Sequence, residues 1–385
     1  MESQKLKFNI IIFLLLNLIL LIGCDSKHTD NSKTTLPEDE ILEQSEPTIY
    51  ERKSSDNTEK QESSVNTEKQ ESSVNIEEQD NKLIGSDFLL NTYCTITLYN
   101  ENDKDLIYDA FAICRDYENQ LSCKISSSEI SQLNNRIISQ VSDSTVEVLE
   151  TALLYSELSE GALDITIGSV TDLWDFTSGS EIVPSPDSIQ KALISVNYKN
   201  LQLNNNQVIF SNDETRIDLG AIAKGYIADQ MKAYLTEQGV ESAIINLGGN
   251  VLCLGTKEDN IGFTVGIQKP FAEGYVAGVH LDDFYQSVVT SGIYERFFEK
   301  DGIFYHHILD PKTGMPIDNS LTSVTIISEE SVDGDALSTA CFVLGLEKGM
   351  ELIDSLDNVH AIFLDEEENL YFSENLLEEL QIDIL

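Results

Sequence analysis

Two adjacent histidines stand in a segment that could carry acid–base chemistry. The segment is YHHILDPKTGMP, residues 305–316, and it holds His306 and His307 in a chain with five histidines. A histidine near its ordinary pKa is the usual side chain for taking a proton from a hydroxyl at neutral pH. Alternation along a strand would place the two rings on opposite faces, so we expect at most one to face a given site. Asp310 could either close the turn that follows or orient an imidazole.

A second segment has the spacing of a metal site. In SVDGDALSTACFVLG, residues 331–345, a helix that starts near Asp333 and ends at Gly345 puts Asp335 and Thr339 four positions apart on one face. A carboxylate and a hydroxyl can together bind a hard cation such as Mg2+, which prefers oxygen ligands. A simpler explanation also fits, in which acidic residues in a first turn favour the helix dipole and Thr339 lies at the surface.

A third segment has features of a phosphate site. DLGAIAKGYIAD, residues 218–229, is predicted to run from a strand ending at Asp218, through Gly220, into a helix with Lys224 in its first turn. Glycine lets a ligand approach the backbone closely, and a helix N-terminus with a lysine attracts anions. The GxxxxGK[ST] spacing of a P-loop is absent. An ordinary strand-to-helix turn with an exposed lysine is the alternative.

The elements that would position these residues mix strands and helices. Helical spacing predicts helices over residues 103–121 and 144–158, and TRIDLG, residues 215–220, is predicted to be a strand. LQLNNNQVIF and HAIFLDEEENLYFS, residues 201–210 and 360–373, predict two hairpins. Because the elements lack strict βαβ alternation, the sequence predicts an α+β fold, a single large domain of mixed, mainly antiparallel sheets with packed helices.

The N-terminal residues predict export and a membrane anchor. Lys5 and Lys7 precede an apolar stretch, residues 8–22, that is shorter than the roughly 20 residues of a membrane span but suits a signal peptide. The stretch ends in LLIGC, which is similar to the bacterial lipoprotein signal. We therefore expect residues 1–23 to be removed, Cys24 to be acylated, and the protein to be lipid-anchored on the outer face of the bacterial cytoplasmic membrane. An ordinary signal peptide with a chance cysteine is the alternative.

Residues 24–82 are predicted to be a disordered tether. They are rich in Ser, Glu, Lys, Gln, Asn and Thr, and NTEKQESSV at 57–65 recurs at 66–74. Such a segment buries too little apolar surface to offset its chain entropy. Patterned sequence then continues over residues 83–385, which we expect to form the folded domain.

The overall charge excludes one class of partner. The chain has 67 acidic residues against 24 Lys and Arg, a formal net charge of −43. An acidic surface repels a polyanion, so we expect no nucleic-acid binding through phosphate contacts. A phosphate-bearing ligand would need a metal ion or a few well-placed cations. The cysteines other than Cys24 show no metal-site or disulfide spacing and are expected to be buried as small hydrophobic residues.

Taken in chain order, several segments resemble the ApbE family, the FAD:protein FMN transferases. The matching stretches are LSCKISSSEISQLN, GALDITIGSVTDLWDF, IDLGAIAKGYIADQM, INLGGNV, SGIYERFF, HHILDPKTGMP and DALSTACFVLG. The resemblance implies a T-fold-related α+β domain that moves FMN from FAD to a threonine hydroxyl of a target flavoprotein, with Mg2+, and releases AMP. It implies acceptor subunits of a membrane redox complex that carry a Ser/Asp-Gly-x-Thr type motif.

Site residues follow from the resemblance by position. It implies that Asp335, Thr339 and the backbone carbonyl of Ala221 hold the metal, and that His307 is the general base. It implies contacts with FAD from Leu90, Ala162, Leu163, Asp164, Asp218, Lys224 and Ile308. Leu90 begins the sequence LNT, where the family often has Met-Gly-Thr.

Two alternative functions would use the same site. In a Mg2+-dependent FAD pyrophosphatase, water would replace the threonine, and the products would be FMN and AMP. In a non-catalytic FAD-binding lipoprotein, the domain would only store or deliver FAD.

Overall fold

The computed structural model describes residues 41–42, 74–257 and 261–385. The helices are α1 (Asp105–Leu121), α2 (Glu129–Asn134), α3 (Asp143–Leu158), α4 (Gly168–Thr171), α5 (Pro186–Leu193), α6 (Ala223–Glu237), α7 (Ser331–Ile353) and α8 (Leu376–Glu379), with a 3-10 turn at Tyr198–Asn200. The strands are β1 (Ile41–Leu42), β2 (Asn75–Gln79), β3 (Lys82–Leu89), β4 (Thr92–Tyr99), β5 (Leu201–Asn204), β6 (Gln207–Phe210), β7 (Ala243–Leu247), β8 (Asn250–Leu254), β9 (Thr264–Gln268), β10 (Tyr275–His280), β11 (Ser287–Gly292), β12 (Phe297–Lys300), β13 (Ile303–His306), β14 (Leu321–Ser328), β15 (His360–Asp365), β16 (Leu370–Phe372) and β17 (Ile382–Ile384).

A nine-stranded sheet forms the centre of the fold, in the order β16-β15-β14-β11-β8-β7-β4-β3-β2. Each neighbouring pair in it is antiparallel. A smaller sheet has the order β1-β9-β10-β17, and β5-β6 and β12-β13 are separate hairpins. The predicted α+β class with mainly antiparallel sheets is confirmed.

Both faces of the large sheet are covered. Ile245 on β7 packs with Phe111 of α1 and Ile227 of α6. Its neighbour Ile244 points to the opposite face and packs with Val265 of the smaller sheet. Since successive side chains of a strand alternate between faces, a strand covered on both sides is buried along its length, as β7 is, and only Asn246 in it is polar.

The site depends on how closely α6 and α7 approach each other. A Cβ added at Gly225 in α6 would lie 2.3 Å from the backbone oxygen of Ser331 in α7. Asp229, one turn further along α6, accepts hydrogen bonds from the backbone N–H groups of Ser331 and Val332 at 2.8 Å each. These bonds satisfy the free amides at the start of α7 and fix its first turn against α6.

Two predicted elements differ in the structure. Residues 215–220 are not a strand, apart from a single bridge between Arg216 and Ile167. The backbone of Ile217 is bonded instead to the side-chain amide of Asn134, at 2.6 and 2.8 Å, which takes the place of a neighbouring strand. The predicted helix end at Gly345 is a break, with φ 76°, after which helical structure resumes and extends to Ile353.

The predicted tether boundary at residue 82 is wrong. Asn75–Gln79 pair with β3, and Val74 and Ile76 pack against the core. Ile41–Leu42 pair in parallel with β9. The predicted signal peptide, Cys24 and the remaining residues assigned to the tether lie outside the described residues.

Within the described ranges, no helix has both the length and the apolar character needed to cross a membrane. The described cysteines are buried, as expected, except for Cys123, which is partly buried.

Candidate active site

Lys224 and Asp335 meet where the N-terminal parts of α6 and α7 come together. Asp335 is buried, at 3% exposure, and its Oδ1 lies 3.4 Å from Nζ of Lys224. Its Oδ2 accepts a hydrogen bond from the backbone N–H of Gly225 at 3.0 Å. A buried carboxylate is stable when a cation and a hydrogen-bond donor both contact it, and the positive end of the α6 dipole adds to this. Asp335 is therefore held by contacts with α6 in addition to any favourable effect of the α7 dipole.

Thr339 lies one turn further along α7 and faces β11. Its Oγ1 is 3.2 Å from Oγ of Ser291, which is also 2.9 Å from Oγ of Ser338. Thr339 is partly exposed. The fold thus puts a buried carboxylate and the hydroxyl of a partly exposed threonine on neighbouring turns of one helix.

The oxygen atoms available here fit a hard cation bound by a carboxylate, a hydroxyl and a backbone carbonyl. Asp335 offers a carboxylate and Thr339 a hydroxyl, and Ala221 lies three residues before Lys224 and offers a backbone carbonyl. Mg2+ prefers oxygen donors and is usually held by one or two carboxylates together with water and substrate phosphate. The described part of the chain contains no group of three or more His, Cys, Asp or Glu side chains arranged to hold a metal. An ion here would therefore need these hydroxyl and backbone oxygens.

His306 is a structural residue. Its Nε2 lies 2.9 Å from the backbone oxygen of Ile317, and its Nδ1 accepts a bond from the N–H of Ile308 at 3.3 Å. These contacts define a neutral ring with the proton on Nε2, and burial lowers its pKa. Both nitrogens of His306 are used to hold the turn.

His307 is arranged as a base. Its backbone N–H donates to the carbonyl oxygen of Arg296 at 3.1 Å, and its Nδ1 lies 3.3 Å from the same oxygen. A carbonyl only accepts, so Nδ1 carries the proton and Nε2 keeps a free lone pair. Burial, followed by the positive charge of Arg296 and the ring of His306, lowers the pKa of His307 to about 3. At neutral pH the ring is neutral and can accept a proton at Nε2.

Charged groups from distant segments act on the pKa of His307. Lys224 and Arg296 both lower the pKa of His307. Burial raises the pKa of Glu295, and the same two cations oppose that shift. Burial lowers the pKa of Arg296, whereas Glu295 and Asp218 oppose that shift. Two cations therefore act on the candidate base in a strongly acidic protein. Sequence analysis assigned no role to Arg296 or Glu295, although an Arg beside a Glu inside SGIYERFF was a usable signal in a chain with few cations.

Asp218 joins this site to the segment around Asp164. Its Oδ2 accepts a bond from Thr171 at 2.7 Å and its Oδ1 one from the N–H of Gly220 at 2.9 Å. Its backbone N–H donates to the oxygen of Ile165 at 2.8 Å. Asp218 is therefore adjacent to residues 162–164, the segment that the family resemblance implies contacts FAD.

The Asp164 carboxylate itself organises a loop. Its Oδ1 accepts bonds from the N–H and hydroxyl of Thr166 at 2.8 and 2.6 Å, and its Oδ2 one from the N–H of Tyr198 at 2.9 Å. Ala162, Leu163 and Asp164 are all buried, at 6%, 3% and 7% exposure. These contacts give the predicted FAD residue Asp164 a structural role within the protein.

The other two predicted FAD residues lie in a turn and in the core. Leu90 and Asn91 form the two-residue turn between β3 and β4, with φ 54° and 59°. The N–H of Leu90 donates to Glu118 at 2.9 Å, and Arg296 Nη2 is 3.5 Å from the oxygen of Asn91, which places this turn next to the site. Ile308, at 4% exposure, packs in the core directly after His307.

Comparison with known proteins gives consistent similarities. The model of the ApbE family matches residues 90–363. The chain is 37% identical over 296 residues to the FAD:protein FMN transferase of Klebsiella pneumoniae strain 342, covering 76% of this chain and 90% of that protein. It is 33% identical over 319 residues to the FAD:protein FMN transferase of Treponema pallidum strain Nichols, covering 77% and 88%.

Solved structures have the same fold. The ApbE protein of Thermotoga maritima superposes with a TM-score of 0.71 at 30% identity, covering 76% of this chain and 97% of that one. The flavin transferase ApbE of Vibrio cholerae superposes with a TM-score of 0.69 at 26% identity, covering 79% and 99%.

Proposed function

The chain belongs to the ApbE family and is an FAD:protein FMN transferase, and we propose that it transfers FMN from FAD to a threonine hydroxyl of a target flavoprotein, using Mg2+ and releasing AMP. The observation that carries the proposal is the geometry of His307. Its Nε2 has a free lone pair, because Nδ1 is committed to the carbonyl of Arg296. The two cations that act on its pKa, Lys224 and Arg296, would attract a diphosphate.

In the proposed reaction, His307 accepts the proton of the acceptor hydroxyl at Nε2. The hydroxyl oxygen forms a bond to the FMN phosphorus, and the bond from that phosphorus to the bridging oxygen breaks, so that AMP leaves with the oxygen. The hydrogen bond from Nδ1 to the oxygen of Arg296 keeps the ring oriented. General-base catalysis of this kind typically contributes a factor of about 10²–10⁴ to the rate.

Lys224 and Arg296 would stabilise the charge that develops on the phosphoryl oxygens. In phosphoryl transfer, positioning and electrostatics supply most of the catalysis, because the transition state carries its charge on the non-bridging oxygens. Asp335, Thr339 and the Ala221 carbonyl are the residues that would hold Mg2+. When bound, Mg2+ would polarise the phosphorus centre and neutralise the departing phosphate.

The proposed partners are FAD and a flavoprotein subunit that carries a Ser/Asp-Gly-x-Thr type motif, in a membrane redox complex. We further propose that the mature protein is attached through an acylated Cys24 to the outer face of the cytoplasmic membrane. The LLIGC signal and the polar segment that follows it support this location.

A mass-spectrometric assay tests the function. The full chain in detergent is incubated with FAD, Mg2+ and a purified acceptor domain with the motif, and the acceptor is expected to gain the mass of FMN less one water as AMP appears. An acceptor with its threonine changed to valine is the matched control and should gain nothing. Free FMN and AMP formed equally without an acceptor would identify a pyrophosphatase instead, and FAD binding without AMP release would identify a binding lipoprotein.

A further inference from the structure

Glu295 is a carboxylate of the candidate site to which the proposed reaction assigns no role. It directly precedes Arg296, whose backbone oxygen accepts the bonds that orient His307. Glu295 is partly buried, and burial raises the pKa of its carboxyl, while Lys224 and Arg296 oppose that shift. Within the part of the chain that the structure describes, no group donates a hydrogen bond to this carboxylate or lies at ion-pair distance from it. The carboxylate can therefore bond to a ligand.

The Glu295 carboxylate lies over the turn between β7 and β8. Both residues of this turn, Gly248 and Gly249, have positive φ, 62° and 85°. A Cβ added at Gly249 would lie 3.6 Å from Oε1 of Glu295 and 3.7 Å from the backbone oxygen of Thr290. Glycine leaves this position open to a ligand, and apart from the neighbouring residues the nearest protein atoms are these two oxygens. A group that fits here should donate hydrogen bonds, because both oxygens can accept them.

Several turns converge around this position. Strands β4, β7, β8 and β11 are adjacent in the central sheet, so the β3-β4 turn, the β7-β8 turn and the segment after β11 come to the same end of it. A Cβ added at Gly248 would lie 2.1 Å from Oγ1 of Thr92 at the start of β4. Arg296 Nη2 lies 3.5 Å from the oxygen of Asn91 in the β3-β4 turn. Glu295 therefore belongs to the end of the sheet where the chain segments around Arg296 come together.

A carboxylate close to a diphosphate site would repel the ligand unless another contact offset the repulsion. Lys224 and Arg296, which would attract the diphosphate of FAD, also act on Glu295, so an ionised Glu295 acts on the same ligand with the opposite sign. A hydroxyl that donates to the carboxylate would offset this effect, because a hydrogen bond to a charged group is stronger than one between neutral groups. FAD carries hydroxyls on both sides of its diphosphate, on the ribityl chain and on the ribose.

We propose that Glu295 binds FAD by accepting a hydrogen bond from a sugar hydroxyl next to the diphosphate, an inference that rests on FAD being the ligand, as the proposed function requires. The ribityl and ribose hydroxyls share this chemistry, and separate titrations distinguish them. The contact would make the site selective for the dinucleotide. Free diphosphate is repelled by Glu295 and has no hydroxyl to donate, whereas FAD gains a bond that offsets the repulsion.

Calorimetric titration of the full chain in detergent tests this role. FAD and inorganic diphosphate are each titrated at one fixed Mg2+ concentration, and the ratio of the Kd for FAD to the Kd for diphosphate is compared between variants. This ratio removes the effect of charge that both ligands share. Glu295→Ala is expected to raise the ratio at least about tenfold, through loss of a hydrogen bond to a charged group. Glu295→Gln keeps the shape and a neutral acceptor, so that it should fold normally and raise the ratio less, by about threefold.

Glu299→Ala is the matched control, because Glu299 is an exposed carboxylate further along the same segment, in β12. Its ratio should equal that of the wild type. Equal weakening of both ligands in the two Glu295 variants would leave the ratio unchanged and would overturn the inference, since the role of Glu295 would then be structural. An unchanged ratio with a higher KM for the acceptor would also overturn it, since the carboxylate would then contact the acceptor protein.

Titrations with FMN and with AMP, each compared with diphosphate in the same way, identify the sugar. A higher ratio for FMN alone would assign the ribityl chain, and a higher ratio for AMP alone would assign the ribose. A rise for neither would overturn the inference. A wild-type protein that binds FAD without transferring FMN would overturn the proposed function alone, whereas one that does not bind FAD would overturn both.

Discussion

At the scale of single residues, the separation of roles between two neighbouring histidines gives the sharpest prediction. His307→Asn keeps a side-chain N–H that can donate to the Arg296 oxygen but removes the basic nitrogen. We expect FAD binding to change little and the transfer rate to fall by about 10²–10⁴, the usual contribution of a general base. Fluorescence titration with FAD and the mass assay for FMN transfer measure the two effects. A transfer rate equal to that of the wild type would remove His307 from the mechanism.

The low pKa of His307 also predicts how stability changes with pH. The folded-state pKa of about 3 lies below the ordinary value of 6.5, so the unfolded chain binds the proton first as the pH falls. Stability should therefore decrease as the pH falls from about 6.5 toward 3, by up to about 1.4 kcal/mol per pH unit for one proton. Urea unfolding at pH 7 and pH 5 measures this change. His307→Asn should lose less stability than the wild type over that interval, and an equal loss would contradict the assignment.

Asp335 gives a prediction about metal binding that does not depend on turnover. Mg2+ that binds only the folded state raises the Tm with increasing concentration. Asp335→Asn removes the only carboxylate of the proposed ligand set and should abolish this rise. Asp333→Asn, in the first turn of α7 and two residues before Asp335, removes a carboxylate outside the proposed ligand set and is the control. A Mg2+-dependent rise in Tm that persists in Asp335→Asn would show that the ion binds elsewhere.

Some residues of the candidate site could be identified from the amino-acid sequence, and others could not. Spacing placed Asp335 and Thr339 on one helix, and alternation indicated that only one histidine would face the site. Arg296 was missed because it lies in an irregular segment, where no periodic pattern shows the direction of a side chain. The role of Asp164 in its own loop depends on Tyr198, a residue distant in sequence. Contacts of this kind are set by the tertiary fold.

At the scale of elements, the crossing of α6 and α7 controls the site. Gly225→Ala would put a Cβ 2.3 Å from the Ser331 oxygen, so the helices would have to separate. Overpacking of this kind typically costs about 1–3 kcal/mol, and here it would also pull Lys224 away from Asp335. We expect both stability and transfer to decrease, as measured by urea unfolding and the mass assay. Thr236→Ala, at an exposed position of α6, is the control, and a fully active Gly225→Ala variant would show that the close contact is not required.

Most of the elements could be predicted, because periodicity and turn residues are local signals. Helices α1 and α3 and the β5-β6 and β15-β16 hairpins follow the predicted segments closely. The predicted strand at 215–220 failed because the Asn134 side chain supplies its hydrogen bonds. The strand β2 was missed because its polar sequence matches that of the preceding repeats. Among the described strands it is an edge strand and pairs with β3 alone, so little of it needs to be apolar.

At the scale of the whole molecule, the acidic charge of the protein limits how it could be held at a membrane surface. A protein with a net charge of −43 gains nothing from electrostatic attraction to an anionic lipid surface. Attachment would therefore depend on the acyl chains at Cys24, to which each buried CH2 contributes about 0.8 kcal/mol. The proposed tether would then let the folded domain reach acceptor sites at the membrane surface.

Removal of the acylation site tests this arrangement. Cys24→Ser removes the site of acylation, so once residues 1–23 have been removed the protein should move from the membrane fraction to the soluble fraction, because no acyl chain then holds it. Transfer to a soluble acceptor domain should be unchanged, since Cys24 takes no part in the proposed chemistry. Transfer to an acceptor embedded in membranes should fall, because anchoring raises the effective concentration of the enzyme at that surface. A Cys24→Ser protein that stays with the membrane would show that something other than acylation holds it there.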